Sequence, residues 1–308
     1  MTTRSGPGGG PPDPGLDPVT GERHQLINLA YRLLGSLAEA EDAVQEAYTR
    51  WYALPGQQRD AIENPAAWLT TVTSRTCLNL LGSARARRET YTGAWLPEPL
   101  PDPAEWTGGR PAAAADPADR VTLDESVSIA FLVVLDSLTP AERVALILHD
   151  VFGYPFADVA EITGRTPAAC RQLAASARRR VRAAQPPATP ATRQAAIVRA
   201  FRQACEAGDI DALIGLLDPG ATVTGDIGDR PAALPGPLHG AEQIARTSLA
   251  VISQVPGLTL LERTVNGQPG LVARQDGVTV AVYAFEITDE RITRIWAVLN
   301  PVKLRPWA

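Results

Sequence analysis

The chain has 308 residues, 45% of them hydrophobic, and a formal net charge of −5. That length has room for about two or three compact domains, no apolar run is long enough to span a bilayer, and the acidic balance argues against a chain that grips a polyanion unaided, because phosphate neutralisation supplies most non-specific affinity. Residues 1–18 carry Gly and Pro clusters without the apolar core of a secretory signal, so they read as the disordered tail of a cytoplasmic protein. Cys77, Cys170 and Cys205 are far apart, lack metal-site spacing and fall in helical patterns. They read as small buried apolar residues in a reduced compartment.

A first helical block spans 19–92. Ser36 and Glu39 have the spacing of a capping box. On the helix that follows, Ala40, Val44, Ala47 and Trp51 form an apolar stripe, while Glu39, Asp42 and Glu46 line the opposite side. Asn64 followed by Pro65 starts another helix. Leu69, Val72, Thr76 and Leu80 face inward there, and Arg75 and Asn79 face away. This helix runs into a basic end, residues 83–89, which suits a helix C-terminus and phosphates. Residues 93–119 are rich in Pro, Ala and Gly, with little periodicity, and read as a flexible linker.

A second helical block spans 120–185. Leu123, Val127, Phe131, Val134 and Leu138 mark its first helix. Thr139, Pro140 and Glu142 start the next with an N-cap, a first-position proline and a third-position acid. The stretch from Phe156 to Arg182 reads as a helix-turn-helix. Gly164 can supply the left-handed residue that ends its first helix, and Thr166 with Pro167 can start the second. On that second helix Cys170, Leu173, Ala177 and Val181 share one stripe, and Arg171, Ala175, Arg178, Arg179 and Arg182 share another. A dry back and a cationic front fit the major groove of DNA. A solvated arginine face on an ordinary bundle fits the same pattern about as well.

The third block, 190–308, differs in kind. Helical patterns at 192–207 and 210–217 precede a strand near 221–226 and a helix near 241–255. Strand-like runs follow at 258–265, 270–274, 278–287 and 291–299, with Asp276-Gly277 as a hairpin signal. Helices first and an antiparallel sheet afterwards indicate an α+β domain.

Three stretches carry a family resemblance: AYRLLGSLAEAEDAVQEAYTRWY, NPAAWLTTVTSRTCLNLLGSARARRE and LTPAERVALILHDVFGYPFADVAEITGRTPAACRQLAASARRRV. In order and spacing they resemble the extracytoplasmic-function (ECF) sigma factors of bacterial RNA polymerase, and together they cover most of 19–184. The word YTGAWLPEP at 91–99 is similar to the subgroup with a fused SnoaL-like domain. The resemblance implies two all-α sigma domains, the second with a helix-turn-helix, followed by a cone-shaped α+β domain with a curved antiparallel sheet. The subgroup's Asp-Gly-Gly-Gly-Lys element stands here as Asp226, Ile227, Gly228, Asp229 and Arg230. Its Asn-Pro-Asp-Lys-Leu stands as Asn300, Pro301, Val302, Lys303 and Leu304. Losing two glycines restricts the first of these loops.

The resemblance also implies roles. The partners are core RNA polymerase, through its beta-prime and beta subunits, and promoter DNA, with no cofactor, metal or membrane. Asp42, Gln45 and Glu46 are the candidates for docking on beta-prime. Asn64, Arg75, Asn79, Arg85, Arg87 and Arg88 are the candidates for the −10 element, and Asn64 fits a plain helix cap equally well. Trp51 and Trp68 read as core. Arg171 can pair with guanine and Gln172 with adenine, with Ala175 on the same face, while Arg178 and Arg179 suit phosphates. The third domain is expected to act in cis on Trp95, Leu96 and Pro97 through Asp226, Arg230, Asn300, Pro301, Lys303 and Leu304, and to take a small-molecule ligand or a protein contact.

Two rival readings are a stand-alone dimeric regulator and a SnoaL-like enzyme with a DNA-binding appendage. Neither needs a polymerase-docking segment. Asp226 and His239 are the acid–base candidates of the enzyme reading, but His239 lies in a loop-like stretch, and no nucleophile or paired-carboxylate constellation accompanies them. The sequence therefore points to recruitment and melting rather than covalent catalysis.

Overall fold

A computed structural model describes residues 20–89, 94–102, 128–184, 189–228 and 237–307. The N-terminal tail, most of the linker, Leu123, Val127, Asp229 and Arg230 lie outside the described residues, as do the side chains of Arg85, Arg87 and Arg88.

Four helices form the first domain: α1 (Arg23–Leu34), α2 (Leu37–Ala53), α3 (Gly56–Asp60) and α4 (Pro65–Glu89). Helix α1 stops at Gly35, whose φ of 72° is the left-handed cap that glycine adopts without strain. The predicted stripe of α2 is buried, with Ala40, Val44 and Ala47 fully enclosed. Trp51 is a core residue, and Trp68, partly buried, packs against it at 5.3 Å between ring centroids.

The second domain holds α5 (Ile129–Asp136), α6 (Pro140–Leu146), α7 (Phe156–Thr163) and α8 (Pro167–Ala184), with a π-helical turn at Ile147–Val151. The capping box of Thr139 and Glu142 is complete. Gly164 ends α7 at φ 64°, and the Thr166 hydroxyl accepts the Ala169 N–H at 3.2 Å to open α8. A helix-turn-helix thus forms where the sequence places one.

One hydrophobic core runs through both helical domains. Helix α4 lies against α6 and α7. Arg143, almost fully buried, sends one guanidinium nitrogen to the Leu33 carbonyl at 2.9 Å and another to Asp136 at 2.5 Å. The Tyr154 hydroxyl donates to Thr70 Oγ1 at 3.0 Å.

The third domain packs α9 (Ala191–Ala207), α10 (Ile210–Leu216) and α11 (Ala241–Gln254) against one face of a six-stranded sheet. Its strands are β1 (Leu217–Asp226), β2 (Leu238–His239), β3 (Leu258–Val265), β4 (Gln268–Gln275), β5 (Val278–Thr288) and β6 (Arg291–Val298), in the order β2-β1-β6-β5-β4-β3. Strands β3 to β6 are joined by two-residue turns at Asn266-Gly267, Asp276-Gly277 and Asp289-Glu290, every residue with positive φ. That is the turn whose twist matches paired strands. The sheet is antiparallel except where β1 lies parallel to β6. Because strand side chains alternate, β6 sends Ile295 to the helical face and Trp296 and Val298 to the other. That second face is covered by Leu96, Leu304, Trp307 and the start of α5 at Ile129.

Candidate nucleic-acid interface and interdomain clasp

Helix α8 buries Cys170, Ala174, Ala177 and Val181, so its opposite face is free of the core. Arg171, Gln172 and Arg179 are exposed and Ala175 is half-buried. Arg171 stacks over the Phe156 ring, 5.6 Å from its centroid, which orients the guanidinium beside the start of the helix. Arg178, expected at phosphates, already has a partner on this face. Its guanidinium is held bidentately by Asp150, at 2.5 and 2.7 Å. The hydrogen bond to Asp150 raises the Arg178 pKa further above its ordinary range. A phosphate would have to share or displace this carboxylate.

On α4, Asn64 caps the helix, its Oδ1 accepting the Ala67 N–H at 3.0 Å. The side-chain oxygen expected at an exposed base is therefore engaged. Asn79 is exposed. Arg75 donates to the Glu161 carbonyl on α7 at 2.9 Å, with the Glu161 carboxylate 3.8 Å away. The candidate DNA face of the first domain thus touches the helix-turn-helix of the second. On α2, Asp42, Gln45 and Glu46 are exposed along one side, with Glu46 also paired to Arg50.

The described part of the linker departs most from the sequence reading as a flexible segment. Residues 95–101 form an extended strap clamped between the first and third domains. Prolines at 97, 99 and 101 lack an N–H, and the residue ahead of each donates one. Leu96 donates to Asp226 Oδ2 at 3.0 Å, Glu98 to the Gly35 carbonyl at 2.8 Å, and Leu100 to Asn266 Oδ1 at 2.8 Å. The Leu100 side chain enters the core of the helical domains, and Leu96 enters the layer on the sheet. Alternating prolines also pre-set an extended backbone, which lowers the entropy lost on ordering. A Cβ at Gly35 would come within 2.9 Å of the Trp95 ring, so the left-handed cap of α1 also makes room for the strap.

Two side-chain groups complete the clasp. Asp226 is fully buried, with Lys303 Nζ 2.7 Å from its Oδ2 and the Gly228 N–H 3.1 Å from its Oδ1. Lys303 Nζ also bonds the Leu96 carbonyl and sits 4.2 Å from the Trp95 ring centroid. Asn300 supports the turn, its Oδ1 accepting the Val302 N–H at 3.0 Å. Gly228 has φ 64°, and a Cβ there would meet Asn300 at 2.8 Å, so the glycine retained in this loop is one that the fold needs. Glu98 forms the second group. Its carboxylate accepts the Leu37 N–H at 2.8 Å and the Ser36 hydroxyl at 3.3 Å. The first turn of α2 is therefore capped by a residue of the strap as well as by the Ser36 hydroxyl, which accepts the Glu39 N–H. Burial raises the Glu98 carboxyl above its ordinary range, against the pull of these donors and Lys303.

The structure brings Trp95, Leu96, Pro97, Asp226, Asn300, Lys303 and Leu304 together, while Pro301 is exposed. Sequence reasoning missed Tyr31 and Asn266, and it did not single out Glu98 or Trp307 within the linker and tail segments expected to meet. The Tyr31 hydroxyl donates to the Glu98 carbonyl at 2.7 Å, and Trp307 Nε1 donates to the Pro99 carbonyl at 2.8 Å. A lone acid between prolines and an Asn-Gly turn were the available signals. His239 is exposed on the short edge strand β2, where it pairs with Thr222 of β1, while Asp226 at the end of β1 is buried and serves the clasp. Among the described residues no group of His, Cys, Asp or Glu could hold a metal ion, and no helix is long and apolar enough to cross a membrane.

Residues 19–87 match the Sigma-70 region 2 family, and residues 128–181 match Sigma-70, region 4. The ECF RNA polymerase sigma factor SigJ of Mycobacterium tuberculosis is 38% identical over 294 residues, covering 91% of this chain and 90% of the relative. The probable ECF RNA polymerase sigma factor SigI of the same organism is 38% identical over 296 residues, with 94% and 96% covered. A crystal structure of the Mycobacterium tuberculosis sigma factor SigJ aligns at a TM-score of 0.71 and 35% identity, with 92% of this chain and 96% of that chain covered.

Proposed function

The chain belongs to the ECF sigma factors of RNA polymerase, and from that premise we propose that its third domain latches the two promoter-reading domains against each other through the strap. As a sigma factor the chain binds core RNA polymerase, recognises −35 and −10 promoter elements and initiates transcription; it is not an enzyme. In this reading the exposed side of α2, with Asp42, Gln45 and Glu46, docks on polymerase. Its charges steer the encounter and fix orientation more than they add affinity. Helix α4 serves the −10 element and α8 the −35 element, with Arg171, Gln172 and Ala175 at the bases and Arg179 at phosphates.

The observation that carries the latch is the strap itself, whose Leu96, Glu98 and Leu100 N–H groups are taken up by the first and third domains together. With the strap clasped, Arg75 is engaged by α7 and the two readers share one core. The two promoter elements lie on the order of two turns of duplex apart, roughly 70 Å at 34–36 Å per turn. Reading both at once requires the helical domains to part. The third domain biases the chain toward the closed arrangement and so restrains initiation.

In vitro transcription with core polymerase tests this, comparing the full chain with one lacking Asn300–Ala308. More transcript from the shortened chain is expected. Unchanged output would remove the tail from the mechanism.

A further inference from the structure

The sheet of the third domain separates two environments. Its strap face is filled by Val272, Val282, Trp296 and Val298. Its helical face is not filled. A cavity of about 90 Å³ remains between the sheet and helices α9 and α11, open at one side. Phe201, Leu271, Ile295 and Leu299 are among its walls. No charged side chain lines it among the described residues; the polar groups are the Thr247 and Ser248 hydroxyls, the Cys205 thiol and the Tyr283 phenol. Burial pushes both the thiol and the phenol up to about 12, so each is uncharged at neutral pH. An ion entering here would lose its hydration and find no countercharge. A neutral molecule would gain contact with apolar walls, and the Tyr283 hydroxyl could donate or accept one hydrogen bond.

Size narrows the class further. A dry cavity of about 150 Å³ takes up benzene; at about 90 Å³ this one is smaller, so even a single small ring enters only as the walls at its open side give. The walls that would move lead to the clasp. Leu299 lines the cavity, and the next residue, Asn300, opens the turn that carries Lys303. The N–H groups of Leu299 and Asn300 both donate to the Asp226 carbonyl, at 2.7 and 3.0 Å. Val223, another wall residue, lies three residues before Asp226 on β1.

We propose that this cavity binds a neutral, single-ring molecule bearing one hydrogen-bonding group, and that occupancy shifts the strap through the end of β6. The site itself does not depend on how the clasp affects transcription; the coupling rests on the latch.

The full-length chain is titrated by calorimetry with p-cresol and, separately, with 4-methylbenzoate, a ring of similar size carrying a charge. Saturable binding of one p-cresol per chain is expected, with 4-methylbenzoate weaker by at least about tenfold. Val251→Trp and Ser248→Phe, both on the cavity side of α11, should each weaken p-cresol binding by about tenfold or more. If one variant fails to fold, the other decides. No saturable binding by a natively folded chain, equal binding of the two ligands, or undiminished binding by the folded variants would overturn the site. Hydrogen exchange at the Leu96 amide then reads the coupling. An altered rate with p-cresol bound supports it, and an unchanged rate at saturation overturns it while leaving the site in place.

Discussion

The Asn266 side chain donates to the Tyr31 hydroxyl at 2.7 Å although 235 positions separate the two residues, and the bond is buried. Through it the third domain reaches the first helix of the first, and the same phenol passes the contact on to the strap.

Removing that hydroxyl should loosen all three parties. Tyr31→Phe leaves the Asn266 nitrogen and the Glu98 carbonyl without this partner, which costs about 1–3 kcal/mol. Asn266→Ala should cost more, because Leu100 also loses its acceptor and alanine must adopt the positive φ of this turn. Urea unfolding of the full chain measures both. A midpoint for Tyr31→Phe equal to the parent's would show that the bridge contributes nothing.

Lys303→Met should be among the most damaging changes in the clasp. It leaves Asp226 buried without its countercharge, a change that typically costs about 3–5 kcal/mol. Combining it with Asp226→Asn should recover a large part of the loss, since the amide oxygen can still accept the Leu96 N–H. A double-mutant cycle in urea checks this. Additive losses would mean that the pair is not coupled.

Glu98 should make the clasp sensitive to acidity in an unusual direction. Burial raises its carboxyl above the ordinary 4.5, so the closed strap binds this proton more readily than a released one does. Its contribution is fully present below the ordinary value and is lost as pH rises through the raised one. Closure should therefore be tighter in mild acid than at neutrality. Glu98→Gln keeps an acceptor for Leu37 and should flatten the dependence. Hydrogen exchange at Leu37 and Leu96 across that window reads the effect, and identical profiles for the two proteins would exclude Glu98 as its source.

On the recognition helix the arginines should separate into three behaviours. Arg171→Ala should cost about 1–3 kcal/mol and relax base preference in the −35 duplex. Arg179→Ala should weaken all sequences alike and lower the salt slope by about one. Asp150→Ala should strengthen binding, because it frees Arg178 from its carboxylate. Anisotropy titrations over a salt series distinguish them. Weaker binding by Asp150→Ala would show that this ion pair presents Arg178 rather than withholding it.

Local chemistry made the helices and turns legible. The cap of Gly164 and Thr166, the capping box at Thr139 and the Asp276-Gly277 turn rest on residues adjacent in sequence, and the structure places them as expected. The order of the strap and its individual partners were illegible for the opposite reason, although Trp95, Leu96 and Pro97 stood out through the motif resemblance. Its prolines suppress periodicity, and each of its partners lies on a remote element, from Gly35 to Asn266. Asp226 and Lys303 were found only through motif resemblance, because nothing about a lone Asp or Lys announces a buried pair. The Arg178–Asp150 bond was missed because the carboxylate sits a whole helix away, on the π-helical turn before α7. The parallel joining of β1 to β6 likewise pairs strands that most of the domain's sequence separates.

The alternation of donors and prolines in the strap makes its length countable only in twos. Deleting or inserting one residue between Leu96 and Leu100 would put a proline where a donor is needed on one side of the change, so the three clamps could not all be kept. Removing a dipeptide would keep donors and acceptors in step while shortening the span by about 6 Å. Insertions and deletions between 96 and 101 should accordingly be tolerated, if at all, in even numbers.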